Sequence, residues 1–428
     1  MADVPSQRLD PWWARVSAVV GVGLLVRLWF VLAIARYDQP VGDQLYYSAQ
    51  AFNNASGRWF EQPFAMGMPS ADHPPLTAFI LTPVTWLVRS GDSFITVQRL
   101  AMVMIGVVSM VVMALIGRLL GGDRVGLITA AITALYANVW VNDGLIMAES
   151  PTFLLVALTT LVLLRHRRDC EDCATSAVDA SGRLRVAVLL GVLAGLLALT
   201  RAELALCAPL IAAYLARLHR GGARLRVIGA FAACALVVVS PWIVWNQARF
   251  DESVLLSTND GLTLAGANCD RTYYDDIGSW DIWCAYEAEV PEGADASVES
   301  RVMRSQGLDY WGDHLTRYPV VAAARVLRVA SVGFVGSNTN AGEAEGRPAW
   351  VSLVGVLQFW LVVVAAVVGW RRLRSRLDRA VLTALVPVVL VVAMVANAYV
   401  RFRLPAEVGL IVLAALAFSA RRPAYVTA

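Results

Sequence analysis

The feature that most constrains this chain is a series of apolar runs, most of them close to the length at which a helix crosses a bilayer. A spanning helix needs about 20 predominantly apolar residues. The chain is 58% hydrophobic and 16% charged, whereas soluble domains carry about a quarter charged residues. The runs therefore predict an all-α polytopic membrane protein. They cover residues 15–36, 74–89, 96–119, 124–141, 149–165, 184–200, 203–218, 225–247, 349–370, 379–398 and 405–420.

One run, residues 74–89, is short of a full span, opens with two prolines and contains a third. Arginine-rich loops face the cytoplasm in membrane proteins. The basic segments all fall on one side only if this run stays at the surface as a juxtamembrane or re-entrant helix. We therefore expect about ten transmembrane helices with both termini in the cytoplasm. The basic segments are GRLLGGDR, RHRRDCEDC to SGRLR, HRGGARLR, RRLRSRLDR and the tail ARRPAYVTA.

This topology divides the chain into three parts. Residues 1–248 form a transmembrane module, and its first external loop is residues 37–95. Residues 249–348 form an extracytoplasmic loop with a juxtamembrane helix, and residues 349–428 supply the C-terminal transmembrane helices. No small-residue cleavage site follows the first apolar run, which is typical of a retained signal anchor. We expect the protein in a bacterial plasma membrane.

Ionisable residues from six separate places gather on the predicted outer face. Any single one could be an interface anchor, but the set as a whole predicts a site. Arginines bind phosphate bidentately, and a carboxylate can deprotonate an attacking hydroxyl. Such a cleft suits a reaction in which an anion leaves and a hydroxyl attacks. The places are Asp43; Asp72 and His73; Asp143 and Glu149; Arg201 and Glu203; Arg401, Arg403 and Glu407; and the polar segment 249–322.

A sugar carried to the outer face of a membrane is most naturally attached to a polyprenyl phosphate, because nucleotide sugars are cytoplasmic. Asp43 follows the first apolar run directly. It would lie where a donor phosphate at headgroup depth meets an acceptor arriving from water. Nothing indicates a nucleic-acid partner, since the arginines stand in short clusters between apolar runs, as orientation signals do.

Five short motifs, in order along most of the chain, resemble the GT-C superfamily of polyprenyl-phosphate-dependent glycosyltransferases. Within it, the nearest group is that of the protein O-mannosyltransferases and aminoarabinose transferases. The resemblance implies the GT-C fold, with juxtamembrane helices in the first external loop and a large external loop after the seventh span. The motifs are Asp43 followed by Tyr46 and Tyr47, then HPPL, ESP, TRAE and RFRLPAE.

Two positions depart from the family pattern. Ala202 stands where the family often has a proline after the arginine, and Gln44 stands where its protein mannosyltransferases often have a second acid. The second departure disfavours protein mannosylation specifically and leaves the fold unaffected. The resemblance leaves the sugar open, with mannose or a pentose such as arabinose both compatible.

The resemblance also implies roles for individual residues. Asp43 is the expected catalytic base, and either Glu149 or Asp143 is the expected second acid. The reaction inverts the anomeric centre, and polyprenyl phosphate leaves. The predicted donor and phosphate contacts are His73, Arg201, Arg401 and Arg403. The roles of Arg401 and Arg403 as phosphate clamps follow from their charge more than from the resemblance. We expect no cofactor and no metal, because arginines can neutralise a leaving phosphate. The expected partners are the lipid-linked donor, membrane lipids and an extracytoplasmic glycan, lipid or protein acceptor.

The external stretch CDRTYYDDIGSWDIWCAYEAEVPEG is acidic and aromatic. Aromatic rings stack on sugar faces, so Tyr273 and Trp280 are candidate acceptor contacts together with Tyr46 and Tyr47. An aromatic belt at the membrane interface or a small core within the loop explains the same residues equally well. Cys269 and Cys284 would form a disulfide if this loop faces an oxidising compartment.

Farther along, GLDYWGDHLTRYPVVAAARVLRVASVGF reads as an amphipathic interfacial helix. Arg325 and Arg328 stand among its apolar residues. We expect these two arginines to contact lipid headgroups.

The stretch CEDC contains Cys170 and Cys173. It resembles a redox or metal pair, but the sequence shows no histidine cluster to complete a site, so we interpret it as an ordinary loop. The motif GVLAG at residues 191–195 predicts close packing of two helices.

Two other classes of protein compete with a glycosyltransferase. A transporter or flippase of a lipid-linked or anionic substrate should show ionisable or broken segments near mid-membrane in both halves. Here the polar motifs lie at one face, and the middles of the runs are mostly Val, Leu and Ala. The second competing class is a polytopic enzyme that resembles O-antigen ligases or acyltransferases, and the motifs HPPL and RFRLPAE disfavour it.

Overall fold

The computed structural model describes residues 10–88, 93–172 and 180–419. These residues form helices joined by turns, and their β-structure is limited to an isolated bridge between Glu61 and Pro69. The predicted all-α polytopic fold is confirmed. Cys173 and the basic tail from residue 420 lie outside the described residues. The helices of the first half are α1 (Pro11–Trp29), α2 (Asp43–Ala55), α3 (Leu76–Leu87), α4 (Ser93–Leu135), α5 (Ala137–Asp143), α6 (Glu149–Asp172), α7 (Ala180–Thr200), α8 (Cys207–Leu218) and α9 (Gly221–Gln247).

The second half contains a group of short helices followed by longer apolar ones. The short group forms the predicted external segment and the stretch that follows it. The helices are α10 (Asn259–Ala267), α11 (Ile282–Tyr286), α12 (Ala296–Asp313), α13 (Tyr318–Val329), α14 (Val335–Ala344), α15 (Ala349–Arg372), α16 (Arg376–Thr383), α17 (Leu385–Val395) and α18 (Leu404–Leu416).

Six of the described helices are long and apolar enough to cross a membrane. The second and third predicted spans, residues 96–119 and 124–141, are merged into α4, which is broken at Gly122, where φ is +78°. A left-handed backbone of this kind favours glycine. The count of about ten spans and the side of the termini remain predictions. The six are Pro11–Tyr37, Ser93–Leu135, Ala180–Thr200, Gly221–Gln247, Ala349–Arg372 and Arg376–Val395.

The helix within the short apolar run does not have the length of a span. Helix α3 has 12 residues with Pro83 inside it. At about 1.5 Å per residue it is roughly 18 Å long, against about 30 Å of bilayer hydrocarbon. It packs against α2, so the loop predicted to be the first external one contains two short helices, as the resemblance implies.

Close helix packing holds the apolar helices together. A Cβ atom added to Gly191 would lie 2.4 Å from the carbonyl oxygen of Phe231, and one added to Gly195 would lie 2.7 Å from Cβ of Val238. The GVLAG motif therefore lets α7 approach α9 closely, which confirms that expectation. The largest apolar core lies among α4, α6, α7, α8, α15 and α18.

The chain leaving α1 is fixed in position before it reaches Asp43. Arg99 of α4 is buried and donates hydrogen bonds to the carbonyl oxygens of Ala35 and Asp38. Gly42 then adopts φ +53° as the residue before α2, a conformation that glycine tolerates best. Asp43 is the first residue of α2, so its carboxylate is held at a defined place beside the end of the first apolar helix.

Candidate active site

Charged side chains from five separate stretches meet around Arg401, in the turn before α18. Its Nη1 donates to Oδ2 of Asp43 over 2.7 Å and lies 3.6 Å from Oε1 of Glu149. Its Nε lies 3.0 Å from Oε1 of Glu345. His73 approaches the same cluster, with its Nε2 3.3 Å from Oδ1 of Asp43. One guanidinium is thus shared by three carboxylates.

Asp43 keeps some exposure, since 28% of its side chain is accessible. Burial opposes ionisation of its carboxyl, but the guanidinium of Arg401 and the imidazole of His73 outweigh burial. Together they hold the pKa of Asp43 well below its ordinary 3.8. While it is paired with Arg401, Asp43 is therefore ionised but a weak base, and weakening that contact would make it a stronger base.

A second arginine lies beside the first. Arg201 donates from Nη1 to Oε1 of Glu149 over 2.7 Å and from Nε to Oε1 of Glu203 over 2.6 Å. The guanidinium carbons of Arg201 and Arg401 lie 4.3 and 5.1 Å from the ring centroid of Phe402. The ring of Phe402 and the carboxylate of Glu149 stabilise the two guanidinium groups side by side. Two adjacent cations of this kind are suited to binding one phosphate group.

Two residues of this cluster were missed by the sequence reasoning. Glu345 contacts Arg401, and Arg347 lies with its Nε 3.6 Å from Oε2 of Glu345. Burial raises the pKa of Glu345 despite the neighbouring charges of Arg401 and Arg347. The signal was present, because EGRP stands directly before an apolar run, as the other charged motifs stand at span ends.

His73 is enclosed by the two tyrosines that follow Asp43. The ring centroids of Tyr46 and Tyr47 lie 5.1 and 5.0 Å from that of His73. Both tyrosines are buried, and the hydroxyl of Tyr46 lies 2.8 Å from Oγ of Ser70. The two rings orient His73 against Asp43. Because Tyr46 and Tyr47 are buried, they are poorly placed to contact an acceptor directly, contrary to expectation.

Asp143 is not in the cleft, which corrects its assignment as a candidate second acid. It is buried, with its Oδ2 accepting from Nε of Arg27 at 2.8 Å and its Oδ1 accepting from Ser150 at 2.6 Å. Gly106 makes room for it, since a Cβ there would lie 2.2 Å from Oδ2. The ion pair joins α1 to α5, and of the two acids considered only Glu149 contacts the arginines of the cleft.

Arg403 is also outside the cleft, although it is two residues from Arg401. It is buried, donates from Nε to Oε1 of Glu407 over 2.6 Å and from Nη1 to Ser331 and to the carbonyl oxygen of Val329. Tyr136 donates to the same oxygen of Glu407 over 2.9 Å. Arg403 therefore ties α18 to the end of α13, and its expected role as a phosphate clamp is wrong for this arrangement.

The aromatic residues of the external segment divide between core and cavity. Tyr273 is fully buried and donates to Oδ1 of Asn268 over 2.8 Å, so it belongs to the segment's own core. Trp280 instead lines a cavity of about 460 Å³ together with Tyr399. Cys269 and Cys284 are joined by a disulfide within this segment.

Arg325 and Arg328 do not contact headgroups, because both are buried in α13. Arg325 donates to the carbonyl oxygens of Met394 and Ala267. Arg328 donates to the carbonyl oxygen of Ile277 over 2.8 Å and to the carboxylate of Asp276. The two arginines fasten the external segment to the C-terminal helices, and the expectation of lipid contact is wrong.

Comparisons with known proteins agree with this architecture. A family model described as dolichyl-phosphate-mannose-protein mannosyltransferase matches residues 72–245. That region includes His73, Glu149 and Arg201 and leaves Asp43 and Arg401 outside it. No curated protein sequence matches this chain.

Among solved structures, the apo oligosaccharyltransferase of Archaeoglobus fulgidus aligns with a TM-score of 0.56 at 11% identity, over 95% of this chain and 51% of that one. The same archaeal enzyme, AglB, in complex with an inhibitory peptide and a dolichol-phosphate, aligns with a TM-score of 0.53 at 13% identity, over 94% and 50%. ArnT from Cupriavidus metallidurans bound to undecaprenyl phosphate aligns at 0.47 and 14%, over 96% and 78%.

This chain spans about half the length of the archaeal enzyme. Identities this low establish the fold alone. The two alignments with TM-scores above 0.5 confirm the GT-C fold that the ordered motifs predict.

Proposed function

We propose that this chain, which has the GT-C fold, is a membrane glycosyltransferase that moves a sugar from a polyprenyl-phosphate donor to an acceptor hydroxyl on the extracytoplasmic side. The observation that carries the proposal is the sharing of Arg401 among Asp43, Glu149 and Glu345 beside a second arginine, Arg201. The description of the matching family and the dolichol-phosphate named with AglB support a lipid-phosphate donor.

In the proposed reaction, the acceptor oxygen attacks the anomeric carbon from the side opposite the phosphate. The new bond from oxygen to carbon forms as the bond from carbon to the phosphate oxygen breaks, and polyprenyl phosphate leaves with that electron pair. The acceptor proton passes to the carboxylate of Asp43. The anomeric configuration is inverted because a single in-line displacement occurs.

The charges around Arg401 favour an exchange of partners when the donor binds. A donor phosphate that engages the guanidiniums of Arg401 and Arg201 competes with Asp43 for Arg401. Loss of that contact removes the strongest influence that lowers the pKa of Asp43, so burial then raises it. Asp43 would become a stronger base at the moment when the donor is in place.

The cavity beside Trp280 is the proposed approach for the acceptor. It is lined by Asp275, Asp276 and Asp281 as well as by Trp280 and Tyr399, so it offers both carboxylates for sugar hydroxyls and rings for stacking. A smaller cavity of about 30 Å³ is lined by Tyr399, Arg401 and Glu345. Tyr399 thus stands between the acceptor cavity and the arginine cluster.

The leaving phosphate is proposed to be stabilised by arginine, with no metal ion required in the cleft. The guanidiniums of Arg401 and Arg201 lie beside the same carboxylate, Glu149, and two such groups can bind phosphate oxygens in a fixed geometry. Activity is then expected to be the same with or without added Mg²⁺ or Mn²⁺. The donor sugar is proposed to be mannose or a pentose.

The proposal is tested with the purified protein in lipid vesicles, supplied with radiolabelled polyprenyl-phosphate sugars and an envelope extract as acceptor. We expect label to move to an acceptor, with stoichiometric release of polyprenyl phosphate and inversion of the anomeric configuration by NMR. Donor binding without turnover, together with movement of labelled lipid between leaflets, would instead establish a flippase.

A further inference from the structure

Two histidines and a cysteine that the proposed reaction does not use lie together at the far end of α6. Nε2 of His166 lies 3.0 Å from Nε2 of His219 and 3.8 Å from Sγ of Cys170. The three donor atoms all lie within 4.8 Å of one another. Both histidines are buried. Among the described residues, these three side chains are close enough to one another to share one metal ion.

The sequence predicts an ordinary loop at CEDC with no histidine cluster to complete a site, but Cys170 lies within α6, one helical turn after His166. His166 and Cys170 are four residues apart on α6 and so lie on the same face of the helix. His219 comes from the residue after α8, more than 50 positions along the chain. Only folding shows that it faces the other two.

Two of the three donor separations are close to those in a tetrahedral zinc site, and the third, between His219 and Cys170, is within 4.8 Å. With Zn–N near 2.0–2.1 Å and Zn–S near 2.3 Å, two nitrogen ligands stand roughly 3.3 Å apart and a nitrogen and a sulfur roughly 3.6 Å apart. The observed separations of 3.0 and 3.8 Å need shifts of only a few tenths of an ångström. Imidazole and thiolate are ligands for Zn²⁺ and related transition metals, whereas Mg²⁺ and Ca²⁺ bind oxygen.

The surroundings hold the donors in place. The backbone N–H of His219 donates to the carbonyl oxygen of Leu215 over 3.1 Å, and its own carbonyl oxygen accepts from Nε of Arg224 over 3.1 Å. The backbone of His219 is therefore held by hydrogen bonds at both its N–H group and its carbonyl group.

The cluster is distinct from the glycosyl-transfer cleft. Glu149 begins α6, and His166 stands 17 residues later on the same helix. At about 1.5 Å per residue the two lie roughly 25 Å apart along the helix axis, which approaches the thickness of a bilayer core. A metal bound there would act on structure at the opposite end of the transmembrane module.

We propose that His166, Cys170 and His219 form a structural site for a zinc-class transition-metal ion that fastens the end of α6 to the turn between α8 and α9. The three protein donors leave one position of a tetrahedral ion for water or a further ligand. Ordering of this turn, which joins two adjacent apolar helices, is the expected consequence of binding.

The test uses the full-length protein purified with a tag that contains neither histidine nor cysteine. Elemental analysis after dialysis against metal-free buffer is expected to give about one zinc per chain. His219→Gln and Cys170→Ser should each lower that content at least tenfold. His314→Gln and Cys234→Ser are the matched controls and should keep the metal, because neither residue belongs to the cluster.

Cobalt supplies a readout that does not depend on how well a variant folds. Native protein stripped of metal by a chelator and reloaded with Co²⁺ should show a thiolate-to-cobalt absorption band and recover its thermal stability. Native protein that holds no zinc and gives no cobalt band would overturn the proposal and leave a hydrogen-bonded histidine pair. Zinc content that is unchanged in both cluster variants would identify an adventitious ion only.

Discussion

Replacing Asp43 with asparagine removes the proposed base while keeping a side chain of the same shape. The amide oxygen of asparagine can still accept the hydrogen bond that Arg401 donates to Oδ2 over 2.7 Å. Arg401 also keeps Glu149 at 3.6 Å and Glu345 at 3.0 Å, so its charge stays paired when Asp43 is neutralised. The variant should therefore fold and bind donor at least as well as the native protein, since one competitor for Arg401 has lost its charge.

Turnover should fall much further than stability. Loss of a general base costs about 10²–10⁴-fold in rate, which corresponds to about 3–5 kcal/mol of barrier at roughly 1.4 kcal/mol per tenfold. The assay measures initial rates of transfer of radiolabelled sugar in vesicles over a range of donor concentrations. A fall in kcat at unchanged or lower donor KM is the expected signature of a group needed only in the transition state.

Glu345→Gln is the matched control for this experiment. It removes a carboxylate from the same arginine, at 3.0 Å from its Nε, without removing the proposed base. We expect its kcat to stay within about tenfold of the native value. Native turnover in Asp43→Asn combined with a collapse in Glu345→Gln would refute the assignment of the base. A collapse in Glu149→Gln alone would instead move the base to the carboxylate that Arg201 holds.

Three further measurements test other parts of the structure. Arg401→Gln removes the strongest influence that lowers the pKa of Asp43, so this pKa should rise. The acid limb of the pH profile of kcat/KM should then lie at higher pH than in the native protein, and an unshifted limb would count against the contact. Arg27→Met leaves Asp143 as a buried unpaired charge, and thermal unfolding in detergent should show a loss of about 3–5 kcal/mol. Unchanged stability would mean that Asp143 finds another partner. Replacing Cys269 and Cys284 by serine opens a loop of 15 residues and should cost about 3 kcal/mol locally. Limited proteolysis should then cleave this loop first, and equal cleavage of both proteins would contradict that role.

Much of the candidate site could be predicted from the sequence because of where its charges stand. Asp43, Glu149, Arg201 and Arg401 each lie at the edge of an apolar run, where an ionisable side chain is costly unless it has a partner or a function. The positions of the arginine-rich loops predict that these four residues lie on the same side of the membrane. The structure brings all four into contact.

The remainder of the site could not be predicted because it depends on the direction in which each side chain points, which the local sequence does not encode. Arg401 and Arg403 lie in one short 3₁₀ turn, and with about three residues per turn, positions i and i+2 point to different sides. One therefore reaches Asp43, and the other reaches Glu407. Glu345 was not predicted because it is far from Arg401 along the chain, and no sequence periodicity indicates that the two side chains meet.

By itself, the sequence determined that this protein is helical and lies in a membrane, because long apolar runs leave the backbone no other stable state in lipid. It also determined which ionisable residues stand at the ends of those runs. Only the tertiary structure decided which of them share a partner. Asp143 pairs with Arg27 in the interior, whereas Asp43 pairs with Arg401 in a partly open cleft. Pairing of charges depends on distances of a few ångströms between segments far apart in the chain, and those distances exist only after the helices have packed.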